Sequence, residues 1–220
     1  MLIKKILILL ISIALANDGL ESIGAFSIAR IHYGGGGDWY SDKSSIPNLL
    51  KFVADNTNII VEKEQRVVKI GDDDFYSSSY LYITGHGNIK LSQEEKIVLR
   101  QHLIDGAFLH ADDNYGMDQS FRELISDIFP DKDFVEIPPN HDLFNIYYQF
   151  SDGLPKIHEH NNQRSQALGI FHNDRLILLY TFESDLGDGW ENMKVHNNPQ
   201  ELREQALKMG TNIIIYSLTQ

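Results

Sequence analysis

The chain has no cysteine among its 220 residues. It therefore carries no disulfide, no thiolate metal ligand and no thiol nucleophile, and any chemistry falls to His, carboxylates, Ser, Thr, Tyr or a bound metal. Basic residues are few: 19 Lys and Arg stand against 31 Asp and Glu, a net charge of −12 that makes nucleic acid a poor partner. The same acidity suits solubility, cation binding or a cationic partner, so charge excludes more than it assigns. Long apolar runs are missing too. Past the N-terminus nothing approaches the about 20 apolar residues that cross a bilayer, and no transmembrane span is expected in the mature chain. Nucleotide fingerprints are also absent: Gly34-Gly35-Gly36-Gly37 has neither the spaced glycines of the dinucleotide motif nor a Gly-Lys-Ser/Thr ending.

What is present begins with an export pattern. Lys4 and Lys5 form a positive start, Ile6 to Leu15 an apolar core, and Ala14-Leu15-Ala16 a small-residue cleavage site. A retained anchor is the competing reading, but Asn17, Asp18 and Glu21 interrupt the apolar run. The sequence predicts a signal peptide over 1–16 and a single exported domain over 17–220, periplasmic or extracellular. No feature sets its oligomeric state.

Strand and helix signals alternate along the rest. Phe26 to Tyr33 reads as a strand running into the glycine loop, followed by a helix from Ser44 or Ser45, with Pro47 in its first turn, to about Ala54. Ile59 to Val61, Arg66 to Ile70 and Tyr80 to Thr84 read as extended, with Asp72-Asp73-Asp74 as a solvated turn. Ser92-Gln93-Glu94-Glu95 fits a capping box for a helix ending near Gly106. Ala107 to His110 reads as a strand and Asp118 as the cap of a helix ending at Pro130. A hairpin follows, Leu168 to Phe171 and Arg175 to Thr181 turning at Asn173-Asp174, then a helix capped by Asn198, opened by Pro199 and ended near Gly210. This is an α/β rhythm.

Several strings carry a family resemblance. They are Arg30-Ile31-His32-Tyr33 with Gly37-Asp38-Trp39-Tyr40, Thr84-Gly85-His86-Gly87, Phe108 to Gly116, Gly153 to His160, and Glu183 to Glu191. Together they resemble the domain of unknown function family 4159 from about Ala25 to Leu218. That resemblance implies the class I glutamine-amidotransferase-like superfamily and a flavodoxin-like three-layer sandwich with a mostly parallel central sheet. In amidotransferases of that superfamily a Cys sits on a tight turn after a strand; the turn that most resembles it here carries Ala111-Asp112-Asp113, so that mechanism is excluded. The resemblance implies a fold and not a function.

Ligands in open α/β sheets sit beyond the carboxyl ends of the strands, where the Gly34 to Trp39 loop, Thr84 to Asn88 with His86, and His110 to Tyr115 are expected. In an extended His158-Glu159-His160 segment both imidazoles point to one side, a spacing that chelates a divalent metal. With Asp112 or Asp113 as third ligand, and Glu183, Asp185 and Asp188 in reserve, the set suits Zn²⁺, Mn²⁺ or Fe²⁺ and leaves a place for water. The competing reading has His158 and His160 bonding structural loops and Glu159 paired to Lys or Arg. Asp112 and Asp113 read equally as general base, metal ligand or sugar acceptor, or as caps of turns. His86 between two glycines suits an acid-base or oxyanion role, or is an incidental turn residue. Trp39 and Trp190 read as sugar-stacking platforms or buried anchors. The Asp185 to Trp190 segment lacks EF-hand spacing, which disfavours calcium.

Two functions stand open from sequence. One is an exported domain that binds a small polar ligand or envelope-derived substrate, with metal-dependent hydrolysis built on His86, Asp112, Asp113 and Glu159 as catalytic candidates, His158, His160 and Asp112 as metal ligands, and Gly35, Gly36, Asp38, Trp39, Tyr115 and Trp190 as ligand contacts. The other is a non-catalytic binding or scaffolding domain of the cell envelope.

Overall fold

A computed structural model of the chain describes residues 24–113, 115–160 and 162–220. The expected export segment, the start at Asn17 and the Asn114 position lie outside the described residues.

Seven strands form one sheet in the order β2-β1-β3-β4-β7-β6-β5: β1 (Ala29–Ile31), β2 (Arg66–Val68), β3 (Tyr80–Ile83), β4 (Phe108–Asp112), β5 (Val135–Glu136), β6 (Gln166–His172) and β7 (Arg175–Phe182). The run from β2 to β7 is parallel, and β6 and β5 add antiparallel pairs at one side. The central strands β1, β3 and β4 are buried along their whole length, because a parallel sheet is covered on both faces. Their side chains alternate between two cores. Leu81, Ile83, Leu109 and Ala111 point into one, and Tyr80, Tyr82 and Phe108 into the other.

Helices close both faces. α1 (Ser45–Asn56) joins the core of Tyr80 and Tyr82 through Leu49, Leu50 and Val53. The opposite core receives Leu99 and Leu103 from α3 (Gln93–Ile104) and Phe121, Leu124, Ile125 and Ile128 from α4 (Asp118–Ile128). Each such side chain contributes about 1.5–3 kcal/mol by leaving water. The long C-terminal helix covers the first face. Three short helices, α2 (Asp73–Tyr76), α5 (Leu186–Trp190) and α6 (Met193–His196), and one 3-10 turn (Asp142–Phe144) complete the described elements before α7 (Gln200–Thr219).

The capping box at Ser92 and Glu95 forms as expected. The hairpin turn at Asn173-Asp174 has φ of 49° and 63°, the positive pair that a two-residue turn requires. Five expectations need correction. The acidic triplet is not a plain turn: Asp73 and Asp74 open α2 over the buried Phe75. Strand β4 continues two residues past His110, which carries Asp112 into the sheet. Asp118 is the first helical residue and makes no cap, and no side-chain cap is found before Gln200. Gly210 does not end α7 but lies within it, where a Cβ would come within 2.7 Å of Leu49 Cδ1 and 2.9 Å of Trp190 Cζ2. Glycine there serves close helix packing.

Candidate metal centre at the end of the parallel strands

The chain leaving β7 turns sharply. Glu183 and Asp185 both hold positive φ, 56° and 55°, in a backbone region that non-glycine residues seldom occupy. The turn buries its acids: Asp185 is 1% exposed and Asp188 3%.

Asp112 at the end of β4 holds this turn from behind. Its carboxylate accepts hydrogen bonds from the backbone N–H of Leu186 at 3.3 Å and of Gly187 at 2.7 Å, and from the Thr181 hydroxyl. A buried file continues inward, with His110 Nε2 3.1 Å from Thr181 Oγ1 and His110 Nδ1 3.2 Å from Tyr80 Oη. One proton assignment serves all of it: Tyr80 donates to Nδ1, Nε2–H donates to Thr181, and Thr181 donates to Asp112. Burial pushes His110 down to about 3, so its imidazole is neutral. Burial also raises Asp112 to about 7, against the pull of its hydrogen-bond donors.

A second wall comes from the segment before β6. The Ile157 N–H donates to Ser184 O at 2.9 Å, the Ser184 hydroxyl donates to Pro155 O at 2.6 Å, and Lys156 Nζ lies 3.2 Å from Glu183 Oε2. Pinned in this way, His158 and His160 face the turn with ring centroids 4.7 Å apart. His160 Nε2 comes 2.7 Å from Asp185 Oδ2, and His158 Nδ1 3.0 Å from Asp188 Oδ2. From α6, His196 brings its Nε2 to 3.3 Å from Asp188 Oδ1 and 3.9 Å from Asp42 Oδ1.

These contacts are short but badly satisfied. His160 Nε2, both Asp185 oxygens, Asp188 Oδ1 and His196 Nε2 are buried and without a hydrogen-bond partner. Their lone pairs therefore face common space, an arrangement that is costly without a cation and apt with one. Burial, with Asp112 and Asp188 nearby, pushes Asp185 up to about 10. Two donor triads have ligand atoms within 4.8 Å of one another: His158, His160 and Asp185, and His158, Asp188 and His196. The three imidazoles remain partly open to solvent, by 43%, 21% and 26% for His158, His160 and His196.

Asp42 reaches the same place through its own support. Arg30, buried on β1, donates to the carbonyls of Trp39 at 3.0 Å, Ser41 at 2.6 Å and Asp42 at 3.1 Å. This fixes the loop after the glycine run. Burial and the Asp188 carboxylate raise Asp42 to about 7.

The family described as Domain of unknown function (DUF4159) matches residues 27–218. The chain belongs to this family. A search of curated proteins finds no match to this DUF4159 chain.

Within the DUF4159 domain the expected site residues separate. His158 and His160 stand together, and Tyr115 stacks on His160 with centroids 4.6 Å apart. Asp112 is displaced from the expected ligand set, since its carboxylate is 0% exposed and engaged by donors behind the turn; the carboxylates that face the histidines are Asp185 and Asp188. Asp113 is buried beside Tyr180, Asp118 and Glu183, and burial with the nearby acids raises it to about 6. Glu159 turns outward, 3.4 Å from Lys156 Nζ and accepting the Asn162 N–H. Trp190 is 1% exposed and donates to Ala206 O, so it is a core anchor and not a stacking platform.

His86 forms a separate pair, its Nδ1 3.1 Å from Asp38 Oδ2, half exposed. Asp38 belongs to the glycine loop, which is clipped to the next loop by Gly37 N–H to Asn88 O and Asp38 N–H to His86 O. Gly35 is required at that clip, because a Cβ would meet Lys90 N at 2.7 Å. Gly36 faces open space, and Trp39 stacks on His32 at 4.2 Å. Sequence reasoning missed His196, Asp42 and Arg30. No local pattern marks them, since each reaches the site from a separate element.

Proposed function

We propose that this DUF4159 protein is an exported metal-binding hydrolase that acts on a small polar, envelope-derived substrate in the cleft at the carboxyl ends of its parallel strands. The observation that carries the reading is Asp185: a carboxylate 1% exposed, with neither oxygen hydrogen-bonded, lying 2.7 Å from an imidazole nitrogen. Mixed imidazole and carboxylate donors suit Zn²⁺, Mn²⁺ or Fe²⁺ better than Ca²⁺ or Mg²⁺. A metal ion held there would supply an acidified water as nucleophile, a chemistry open to a chain without cysteine. The parallel order β2-β1-β3-β4-β7 supports a flavodoxin-like sheet of the glutamine-amidotransferase-like kind, whose binding crevice lies at this edge. Export rests on the Lys4, Lys5 and Ala14-Leu15-Ala16 pattern alone.

The test is elemental analysis of the untagged protein after reloading with Zn²⁺, beside a His158→Ala, His160→Ala double variant. Metal in the parent, lost in the folded variant, supports the reading. A parent that takes up none overturns it. The second reading, a binding domain of the envelope, draws on Tyr40 and Tyr115, exposed by 56% and 48% on bordering loops; capture of an envelope component with no product released by the metal-loaded protein would select it.

A further inference from the structure

We infer that the centre holds two divalent transition-metal ions, not one, with His158 shared between them. The inference rests on the metal-binding reading above and deepens it. Protein ligands stand about 2.0–2.2 Å from Zn²⁺, so donors to one ion lie within about 4.4 Å of each other. The donor atoms here fall into two sets, each with its atoms within 4.8 Å of one another, a few tenths of an ångström above that limit: His160 with Asp185, and Asp188 with His196, each completed by His158.

Each set contains its own buried acid with an unpartnered oxygen. In the first, Asp185 has neither oxygen bonded; in the second, Asp188 Oδ1 has no partner although His196 Nε2 is 3.3 Å away. Filling one set leaves the other set's acid and imidazole buried and unsatisfied, and that residue of cost is what a second ion removes. His158 is able to serve both because an imidazole has two ring nitrogens, and Nδ1 already faces Asp188 at 3.0 Å. Nε2 is then the donor to the ion of His160 and Asp185, and the imidazole releases its ring proton to solvent when both nitrogens are bound.

Charge points the same way. Asp112, Glu183, Asp185 and Asp188 are buried around the centre, whereas the cations near them are Arg30, committed to loop carbonyls, and Lys156, committed to Glu183 and Glu159. With Glu183 set against Lys156, three negative charges remain; one divalent ion leaves one of them, and two ions with the deprotonated His158 between them cancel all three.

The test is the Zn²⁺ content of the untagged protein after reloading and gel filtration, read by mass spectrometry, with circular dichroism as a check of folding. The parent is expected to hold two ions per chain. Asp185→Asn should hold one, as should His196→Gln, whose side chain sits on the partly exposed α6 and carries little risk to folding. His158→Ala should lose both at the same free metal concentration, with at least a 100-fold drop in affinity. A parent that holds one ion overturns the shared centre and leaves the metal-binding reading standing. A parent that holds none sinks both. Two ions in the parent and still two in His196→Gln would put the second ion elsewhere, which also overturns the inference.

Discussion

Two groups of buried polar side chains lie back to back where β4 and β7 end, and they differ in how they are satisfied. Tyr80, His110, Thr181 and Asp112 form a file in which each side chain hydrogen-bonds the next. A few residues along the chain, Asp185 and Asp188 face His160 and His196 at short range with donor and acceptor atoms unpaired. The acids of both groups, Asp112 in one and Asp185 and Asp188 in the other, are equally buried, so burial of the carboxylate does not separate framework from function. Satisfaction does: the closed file is architecture, and the open group is where the proposed metal-binding reading applies.

The widest separation between the two groups should appear in Asp185→Asn. Removing the charge from the open group is expected to weaken Zn²⁺ binding at least 100-fold, about 2.8 kcal/mol at 1.4 per tenfold. In EDTA the same variant should be no less stable than the parent in urea unfolding, because a buried carboxyl whose oxygens make no hydrogen bond, and whose ionisation burial already opposes, has been replaced by a neutral isostere. Chelator competition and the urea midpoint give the two readings. A destabilised metal-free Asp185→Asn would mean that the open group is architecture after all.

Asp112→Asn probes the closed group and should do the opposite. The carboxylate serves two backbone N–H groups and the hydroxyls of Thr181 and Tyr82, and an amide with one acceptor oxygen leaves part of that set unmet. A loss of about 2–3 kcal/mol in EDTA is expected from urea unfolding. Metal affinity should fall as well, since the turn that carries Asp185 hangs on those bonds.

The pH dependence of stability sharpens the contrast further. In the folded chain burial holds His110 at about 3, whereas an unfolded histidine titrates near about 6.5. Between these values the unfolded chain binds a proton that the folded chain refuses, so this residue's contribution is whole above about pH 6.5 and is lost as pH falls toward 3. At pH 5 the deficit is about 2 kcal/mol, from about 1.36 per unit. His110→Gln retains a donor and an acceptor but does not titrate. Its stability should change less between pH 7.5 and pH 5 than the parent's, by about that amount; equal changes would show that His110 is not held neutral.

Much of the fold was legible because it rests on local patterns. The Ser92 capping box, the Asn173-Asp174 turn and the apolar stripe of Phe121, Leu124, Ile125 and Ile128 are written in adjacent residues. Gly210 was misread for the reason that a glycine's usual role is to end a helix, while here its value lies in Leu49 and Trp190, distant in sequence. The site divides in the same way. His158 and His160 announce themselves by spacing, and Asp185 and Asp188 by their acidic glycine-rich setting. His196 and Asp42 carry no such mark, and the inward turn of Asp112 follows from strand β4 running on to that residue.

The smallest effect is expected where the open group meets solvent. Tyr115 is 48% exposed, holds a φ of 56°, and lies nearly flat on His160, with an interplanar angle of 20°. A stacked aromatic pair is worth about 0.5–1.5 kcal/mol beyond area, and less where one face is wet. Tyr115→Ala should therefore lower Zn²⁺ affinity only about threefold to tenfold, by letting the His160 ring wander, while Tyr115→Phe keeps the ring and should bind like the parent. Chelator competition on the two variants checks this. Equal losses in both would assign the effect to the phenol hydroxyl, and Tyr115 would then belong with the ligands of the open group and not with its supports.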